Sequence, residues 1–125
     1  MGLHIVADDA GGSPAISEAL ARRLADDLNA FYAPLRISFQ VTIRLFPASR
    51  FRVLESYGHI DELKRAAAER PDRQLNVFIS GLDSSFGGLA GVGTFPWDPD
   101  AMQSTGGIIL NARFILPGET LLAHE

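Results

Sequence analysis

Apolar residues recur at every third or fourth position over residues 16–31, and this spacing predicts an amphipathic helix. The apolar stripe consists of Ile16, Leu20, Leu24, Leu28 and Phe31. Charged residues fall largely on the opposite side of the same helix. Ser17 is the expected N-cap, because its hydroxyl can accept a hydrogen bond from a backbone N–H of the first turn. Pro34 should end the helix, since the α conformation is disfavoured before a proline.

Two further helices are predicted. One covers residues 60–69, with Leu63 and Ala67 facing inward and Pro71 beyond its end. The other begins at Glu119, because an acidic residue suits a helix N-terminus.

Strand patterns occupy much of the remaining chain. Apolar and polar residues alternate over residues 36–46, which predicts a half-buried strand. Dense apolar runs predict strands at residues 3–7, 75–79 and 108–111. A short edge strand is expected within residues 89–95, inside a glycine-rich stretch.

The order of these elements predicts an α/β fold. Residues 47–58 are ambiguous and favour only an extended segment through Phe51, Val53 and Leu54. We expect a mixed, twisted sheet of about five strands with two to three helices. The length of 125 residues fits a single domain over residues 1–125.

Composition narrows the classes of function. The net charge is −4 and the basic residues are scattered, which argues against nucleic-acid binding. The absence of cysteine excludes disulfides and thiolate metal sites. No apolar run approaches the ~20 residues that a membrane span needs.

The chain ends in His124-Glu125, the first two letters of the HExxH motif. On a helix this motif places two histidines one turn apart, so that both imidazoles reach one zinc ion, and the glutamate can take a proton from metal-bound water. A His-Glu pair alone is a weak signal. Its weight depends on what precedes it.

Several short segments precede the pair in a consistent order. They are Leu3-His4-Ile5-Val6, Ile16-Ser17-Glu18 through Leu28-Asn29, Ile37-Ser38-Phe39-Gln40, Leu75-Asn76-Val77-Phe78-Ile79, Gly87-Gly88-Leu89-Ala90-Gly91 with Thr94-Phe95-Pro96, Gly106-Gly107-Ile108-Ile109-Leu110, and residues 119–125. In order and spacing these segments resemble the upper half of the catalytic domain of the pappalysins, a branch of the metzincin metallopeptidases. The chain departs from that family at Gly106-Gly107, where an Asp-Gly pair is usual, and in having no cysteine.

The resemblance implies a metzincin-like upper subdomain of a zinc-dependent endopeptidase that acts on a protein or peptide. His124 would be the first zinc ligand and Glu125 the general base. The other ligands would follow Glu125, so we expect the 125 residues alone to lack peptidase activity and tight zinc binding. The resemblance also implies secretion, although the first residues carry no signal-peptide pattern.

The glycine-rich segment has two interpretations. Metzincins that this chain resembles hold substrate as an extra antiparallel strand along a sheet edge, which would make Gly88, Leu89, Ala90 and Gly91 substrate-binding residues. The segment also fits a flexible surface loop with a bulge. A phosphate-binding loop is excluded, because no GxxxxGK[ST] pattern is present.

The other polar residues favour structural roles. Calcium is possible at Asp8-Asp9 or Asp98-Pro99-Asp100, but these pairs lack the spacing of a loop site and suit solvated turns better. We expect His4 to be a hydrogen-bonded histidine in the core or at a sheet edge, His59 to lie in a turn before a helix, and Trp97 to pack over its loop. The alternative function is a non-catalytic α/β binding module that ends in His-Glu by chance.

Overall fold

The computed structural model describes residues 1–95 and 97–115. In this part of the chain a six-stranded sheet is covered on its two faces by two helices. The strands are β1 (Gly2–Ala7), β2 (Thr42–Pro47), β3 (Val53–Leu54), β4 (Asn76–Leu82), β5 (Gly91–Gly93) and β6 (Ile108–Asn111). The helices are α1 (Glu18–Tyr32) and α2 (Tyr57–Ala67). The mixed α/β sheet expected from the sequence is therefore confirmed. The third predicted helix, from Glu119 onward, lies outside the described residues.

The sheet has the strand order β2-β1-β4-β6-β5, and β3 pairs with β4 off this path. Neighbouring strands run parallel except for β5, which runs antiparallel to β6. Strand β5 occupies one edge of the sheet and β2 the other. The central strands β1 and β4 are buried almost throughout, as their mainly apolar sequences predict.

Helix α1 covers one face of the sheet. Ser17 is its N-cap, as predicted, and the Ser17 hydroxyl accepts a hydrogen bond from the Leu20 N–H at 3.1 Å. Its buried residues pack against β1, β4 and β6. Phe31 was predicted to face inward, but 52% of it is exposed. Pro34 ends the α-helix, and the chain passes into a 3-10 turn over Ala33–Leu35.

Helix α2 covers the other face and begins earlier than predicted. Ser56 caps it by accepting from the His59 N–H at 3.1 Å. His59 therefore lies inside the first turn of α2, and not in a turn before the helix. The sequence did not reveal this start, because Tyr57 and Gly58 carry no helical apolar pattern.

The alternating segment 36–46 forms a strand only from Thr42 onward. The side chain of Asn29 explains the difference. Its Oδ1 accepts from the Phe39 N–H at 2.7 Å, and its Nδ2 donates to the Phe39 carbonyl at 3.1 Å. These two bonds occupy the backbone groups of Phe39 that a strand ladder would need. Leu45, an apolar residue of this alternating segment, is exposed on the sheet edge.

The other strands agree with the predictions to within a few residues. The segment 3–7 lies within β1 and 108–111 is β6, while the predicted strand 75–79 begins one residue later, at Asn76, and continues to Leu82 as β4. The expected edge strand within residues 89–95 is the three-residue β5. Across residues 1–95 and 97–115, no helix has the length and apolar character to cross a membrane.

Candidate functional site

A left-handed glycine turn leads the chain to the edge strand. Asp83 caps a 3-10 turn over Ser84–Phe86 by accepting from the Ser85 N–H at 2.9 Å. Gly87 and Gly88 then adopt φ angles of +64° and +79°. Side chains are strained at such angles, which is the local reason for two successive glycines. Gly88 therefore belongs to a turn, and not to a strand.

Asn111, at the end of β6, fixes the entry to β5. Its backbone N–H donates to the Ala90 carbonyl at 2.8 Å, and its side-chain Nδ2 donates to the Leu89 carbonyl at 3.1 Å. The Asn111 side chain is buried by these contacts. Asn111 was not among the residues predicted to have a role, although a polar residue at the end of an apolar strand is a usable signal. The carbonyls of Leu89 and Ala90 are thus held by the protein itself.

The ladder between β5 and β6 determines which backbone groups of β5 face outward. Pairs that exchange hydrogen bonds alternate with pairs that do not in an antiparallel ladder. Asn111 bonds Ala90, and the Thr94 N–H donates to the Gly107 carbonyl at 3.2 Å. Val92, opposite Ile109, is midway between them and is therefore also a bonded residue. It follows that the N–H and C=O groups of Gly91 and Gly93 point away from β6, toward the open edge.

The two faces of β5 are unequal. Val92 packs with the apolar cluster beneath α2. Gly91 and Gly93 lie opposite Leu110 and Ile108 and add no side chain to the other face. Within the described residues, no strand pairs with the outer side of β5. Gly93 is exposed whereas Gly91 is buried, so the accessible backbone of this edge is that of Gly93.

The loop after β5 carries an exposed aromatic pair. Phe95 and Trp97 stack with ring centroids 4.8 Å apart and planes 6° from parallel. Asp98 fixes the turn, since its Oδ2 accepts from the Phe95 N–H and its N–H donates to the Phe95 carbonyl, both at 3.0 Å. Trp97 packs within its loop as expected, yet 77% of it is exposed. Beside this loop a groove of about 350 Å³ is lined by Leu75, Thr94, Met102 and Gly107, among others.

The described residues do not form a metal site. No group of three or more His, Asp or Glu side chains in residues 1–95 and 97–115 is placed to hold an ion. Asp8 caps its own turn, since its Oδ1 accepts from the N–H groups of Ala10 and Gly12 at 3.0 and 2.7 Å. The expectation of turn acids there is confirmed. His124 and Glu125 lie outside the described residues.

The two described histidines both have protein partners. His4 is 2% exposed, and its Nε2 lies 2.8 Å from the Asn76 Oδ1, so the expectation of a core histidine is confirmed. Burial lowers the pKa of His4. The Nδ1 of His59 accepts from the Glu55 N–H at 3.2 Å.

Comparison with known proteins gives both a sequence relationship and a fold. No family model matches the sequence. Pappalysin-1 of Mus musculus and pappalysin-1 of Homo sapiens are each 40% identical to the chain over 72 residues. The match covers 56% of this chain but only 4% of either pappalysin-1, so the chain spans a small part of the length of these relatives.

The solved structures with a similar fold are of mirolysin. Mirolysin in complex with compound 9 matches with a TM-score of 0.66 and 16% identity, over 98% of this chain and 58% of that one. Mature mirolysin of Tannerella forsythia, in complex with a cleaved peptide, matches with a TM-score of 0.65 and 15% identity. That match covers 92% of this chain and 52% of the mirolysin chain. At these identities the likeness establishes the fold.

Proposed function

We propose that this chain, which is of the pappalysin type by sequence and has the fold of a metzincin metallopeptidase, forms the substrate-binding part of a zinc-dependent endopeptidase. The observation that carries the proposal is the antiparallel edge strand β5, whose Gly91 and Gly93 backbone groups face outward. A peptide in extended conformation is the ligand that such an edge fits, because it offers the same N–H and C=O groups in return.

The substrate would bind as an added strand along β5. Of the four residues expected to contact substrate, Gly91 has its backbone groups on the outer side of β5, but it is buried. Gly93 joins it at the same edge, one strand period further on. Gly88 shapes the turn, while Leu89 and Ala90 have their carbonyls engaged by Asn111. We therefore assign backbone pairing to the exposed Gly93, with the buried Gly91 beside it in the same strand, and a supporting role to residues 88–90.

The metal centre is proposed from the sequence relationship. The described residues offer no ligand set for zinc. His124 has the right chemistry for one ligand, and catalytic zinc sites usually take three from the protein. In this proposal zinc, when bound, supplies an activated water, and Glu125 accepts its proton. An extracellular location is proposed on the relationship to pappalysin-1 alone. Calcium binding is not proposed.

The coding frame beyond the Glu125 codon gives one direct test. A continuation that reads xxHxxGxxH would complete the ligand set that the proposal requires. A continuation without these histidines would leave His124 without partners of the expected kind. In that event the peptide-binding edge would belong to a non-catalytic binding module.

The edge can be tested by removing one outward hydrogen bond. Gly93→Pro deletes an N–H that β6 does not use, so the sheet should keep its stability while a peptide loses one partner. We expect a non-cleavable peptide to bind about fivefold more weakly, the effect of about 1 kcal/mol. Binding can be followed by the fluorescence of Trp97, the single tryptophan of the chain.

Gly93→Ala is the matched control, because it adds a side chain and keeps the N–H. It should bind the peptide better than Gly93→Pro. Equal binding by the two variants, with both as stable as the wild type, would show that the peptide does not pair with β5.

A further inference from the structure

Lys64 on α2 is a buried lysine, with 4% of its surface exposed. Its Nζ donates to the backbone carbonyls of Thr105 and Gly107 at 3.2 and 3.4 Å. Lys64 takes part in none of the ion pairs found among the described residues. Burial lowers the pKa of Lys64, and the carboxylates of Asp61 and Asp100 oppose that shift more weakly.

This arrangement costs stability, because the hydrogen-bond acceptors that the described residues offer this desolvated charge are neutral carbonyls. A methionine would fill the same space without that cost. What the ammonium group adds is a hold on the loop that joins β5 to β6.

Gly107 is the point where the loop enters β6. Its carbonyl accepts from both the N–H and the Oγ1 of Thr94, each at 3.2 Å, in addition to the contact with Lys64. Its φ is +102°, and a Cβ placed on it would lie 2.5 Å from the Asn76 carbonyl oxygen. Gly107 thus lies close to Asn76 at the start of β4 on one side. On the other side its carbonyl binds Thr94, the residue that follows β5.

Strand β5 has little else to fix its position. It is three residues long, lies at an edge and pairs only with β6 among the described strands. Residues 74–112 contain no lysine or arginine, and they include Asp83, Asp98 and Asp100. A positive charge that holds this acidic segment has to come from another element, and Lys64 supplies it from α2.

We infer that Lys64 is a positioning residue, which holds β5 in register for an incoming peptide by binding the Gly107 carbonyl from the face of the sheet that α2 covers. The inference rests on the proposed function in taking β5 as the substrate edge. Whether Lys64 stabilises the end of β5 next to Thr94 can be measured without an assay of peptidase activity.

Hydrogen exchange tests the anchoring. Lys64→Met keeps the length of the stem and removes both charge and donor. We expect the ladder amides of Val92 and Ile109 to exchange about tenfold faster, with no change at Leu24 and Leu28 in α1. Lys64→Gln retains an N–H donor and should restore part of the protection. Arg65→Met, at an exposed neighbour on α2, is the control for loss of a positive charge and should leave exchange unaltered.

Uniformly faster exchange in both β5 and α1 would mean that Lys64 only stabilises the whole fold, and unchanged exchange would mean that it anchors nothing. Either result overturns the inference. Measurements of peptide affinity then distinguish failure of the Lys64 inference from failure of the proposed function. Lys64→Met should bind a non-cleavable peptide about fivefold more weakly.

Wild-type affinity in Lys64→Met would contradict the inference and leave the substrate edge standing. Failure of the wild type itself to bind the peptide would remove the proposed edge, and the exchange data would still decide the role of Lys64.

Discussion

At the scale of single residues, hydrogen bonds around His4 fix its state. Asn76 Nδ2 donates to the Glu69 carbonyl at 3.0 Å, which turns the amide oxygen of Asn76 toward His4 and toward the Glu69 N–H. His4 Nε2 must then be the donor to that oxygen. The ring also stacks on Phe78, with centroids 5.1 Å apart. A neutral Nε2–H tautomer satisfies this site without bringing a charge into the core.

The free energy of unfolding should therefore depend on pH through His4. Desolvation lowers the folded-state pKa of His4 below 6.5, with Asn76 and Glu69 opposing the shift and Arg44 adding to it. The unfolded chain thus binds the proton first. The contribution of His4 is complete above about pH 6.5 and is lost as the pH falls toward the folded pKa.

The loss cannot be steeper than that of one proton, about 1.4 kcal/mol per pH unit. Urea unfolding at pH 7.5 and pH 5.5 measures it. His4→Gln keeps a donor for Asn76 but cannot titrate, so its pH dependence should be flatter in this range. The same slope in His4→Gln and in the wild type would assign the effect to other groups.

Single residues also separate what the sequence could predict from what it could not. His4 was placed in the core because it interrupts an apolar run, and that pattern is local. Lys64 and Asn111 donate hydrogen bonds to carbonyls far away in sequence, those of Gly107 and Leu89. A local sequence pattern does not identify such partners.

At the scale of elements, two glycines mark positions where the backbone adopts a left-handed conformation. Gly107 and Gly11 both have positive φ angles, +102° and +79°. A Cβ at Gly107 would meet the Asn76 carbonyl oxygen at 2.5 Å, whereas a Cβ at Gly11 would have nothing within 4 Å. Gly107 therefore combines backbone strain with a steric requirement, and Gly11 has the strain alone.

This contrast gives a paired prediction. Gly11→Ala should lower the free energy of unfolding by about 1 kcal/mol, the cost of a left-handed conformation. Gly107→Ala should cost at least about 2 kcal/mol more, because β6 must also move away from β4. Denaturant unfolding of the two variants measures both values. Equal costs would show that the approach of Gly107 to Asn76 is not tight.

The predicted elements failed where a tertiary contact overrides a local pattern. Alternation over residues 36–46 indicated one long strand, but Asn29 of α1 binds Phe39 and delays β2 until Thr42. Helix α1 itself was predicted well, because a long periodic stripe with a serine cap is a local property. Strand β5 covers only Gly91–Gly93, because Asn111 binds the carbonyls of Leu89 and Ala90 before it and the strand ends at the contact of Thr94 with Gly107.

At the scale of the whole molecule, the sheet presents one edge suited to another chain. Edge β2 pairs parallel to β1, and edge β5 runs antiparallel to β6 with its outward groups on glycines. The sequence indicated this architecture through a series of short segments in a consistent order, more than through the final His-Glu pair. It could not define the ligand set, because one histidine does not make a zinc site.

The central claim is that this edge serves a peptidase in which Glu125 is the general base. The most direct measurement compares peptide turnover and zinc content of the protein encoded by the complete reading frame with those of its Glu125→Gln variant. Glu62→Gln, at an exposed position on α2, is the matched control.

We predict that Glu125→Gln lowers kcat by about 100-fold or more with its zinc content unchanged, and that Glu62→Gln behaves as the wild type. Turnover by Glu125→Gln at the wild-type rate, or a wild-type protein that neither holds zinc nor cleaves peptides, would contradict the account.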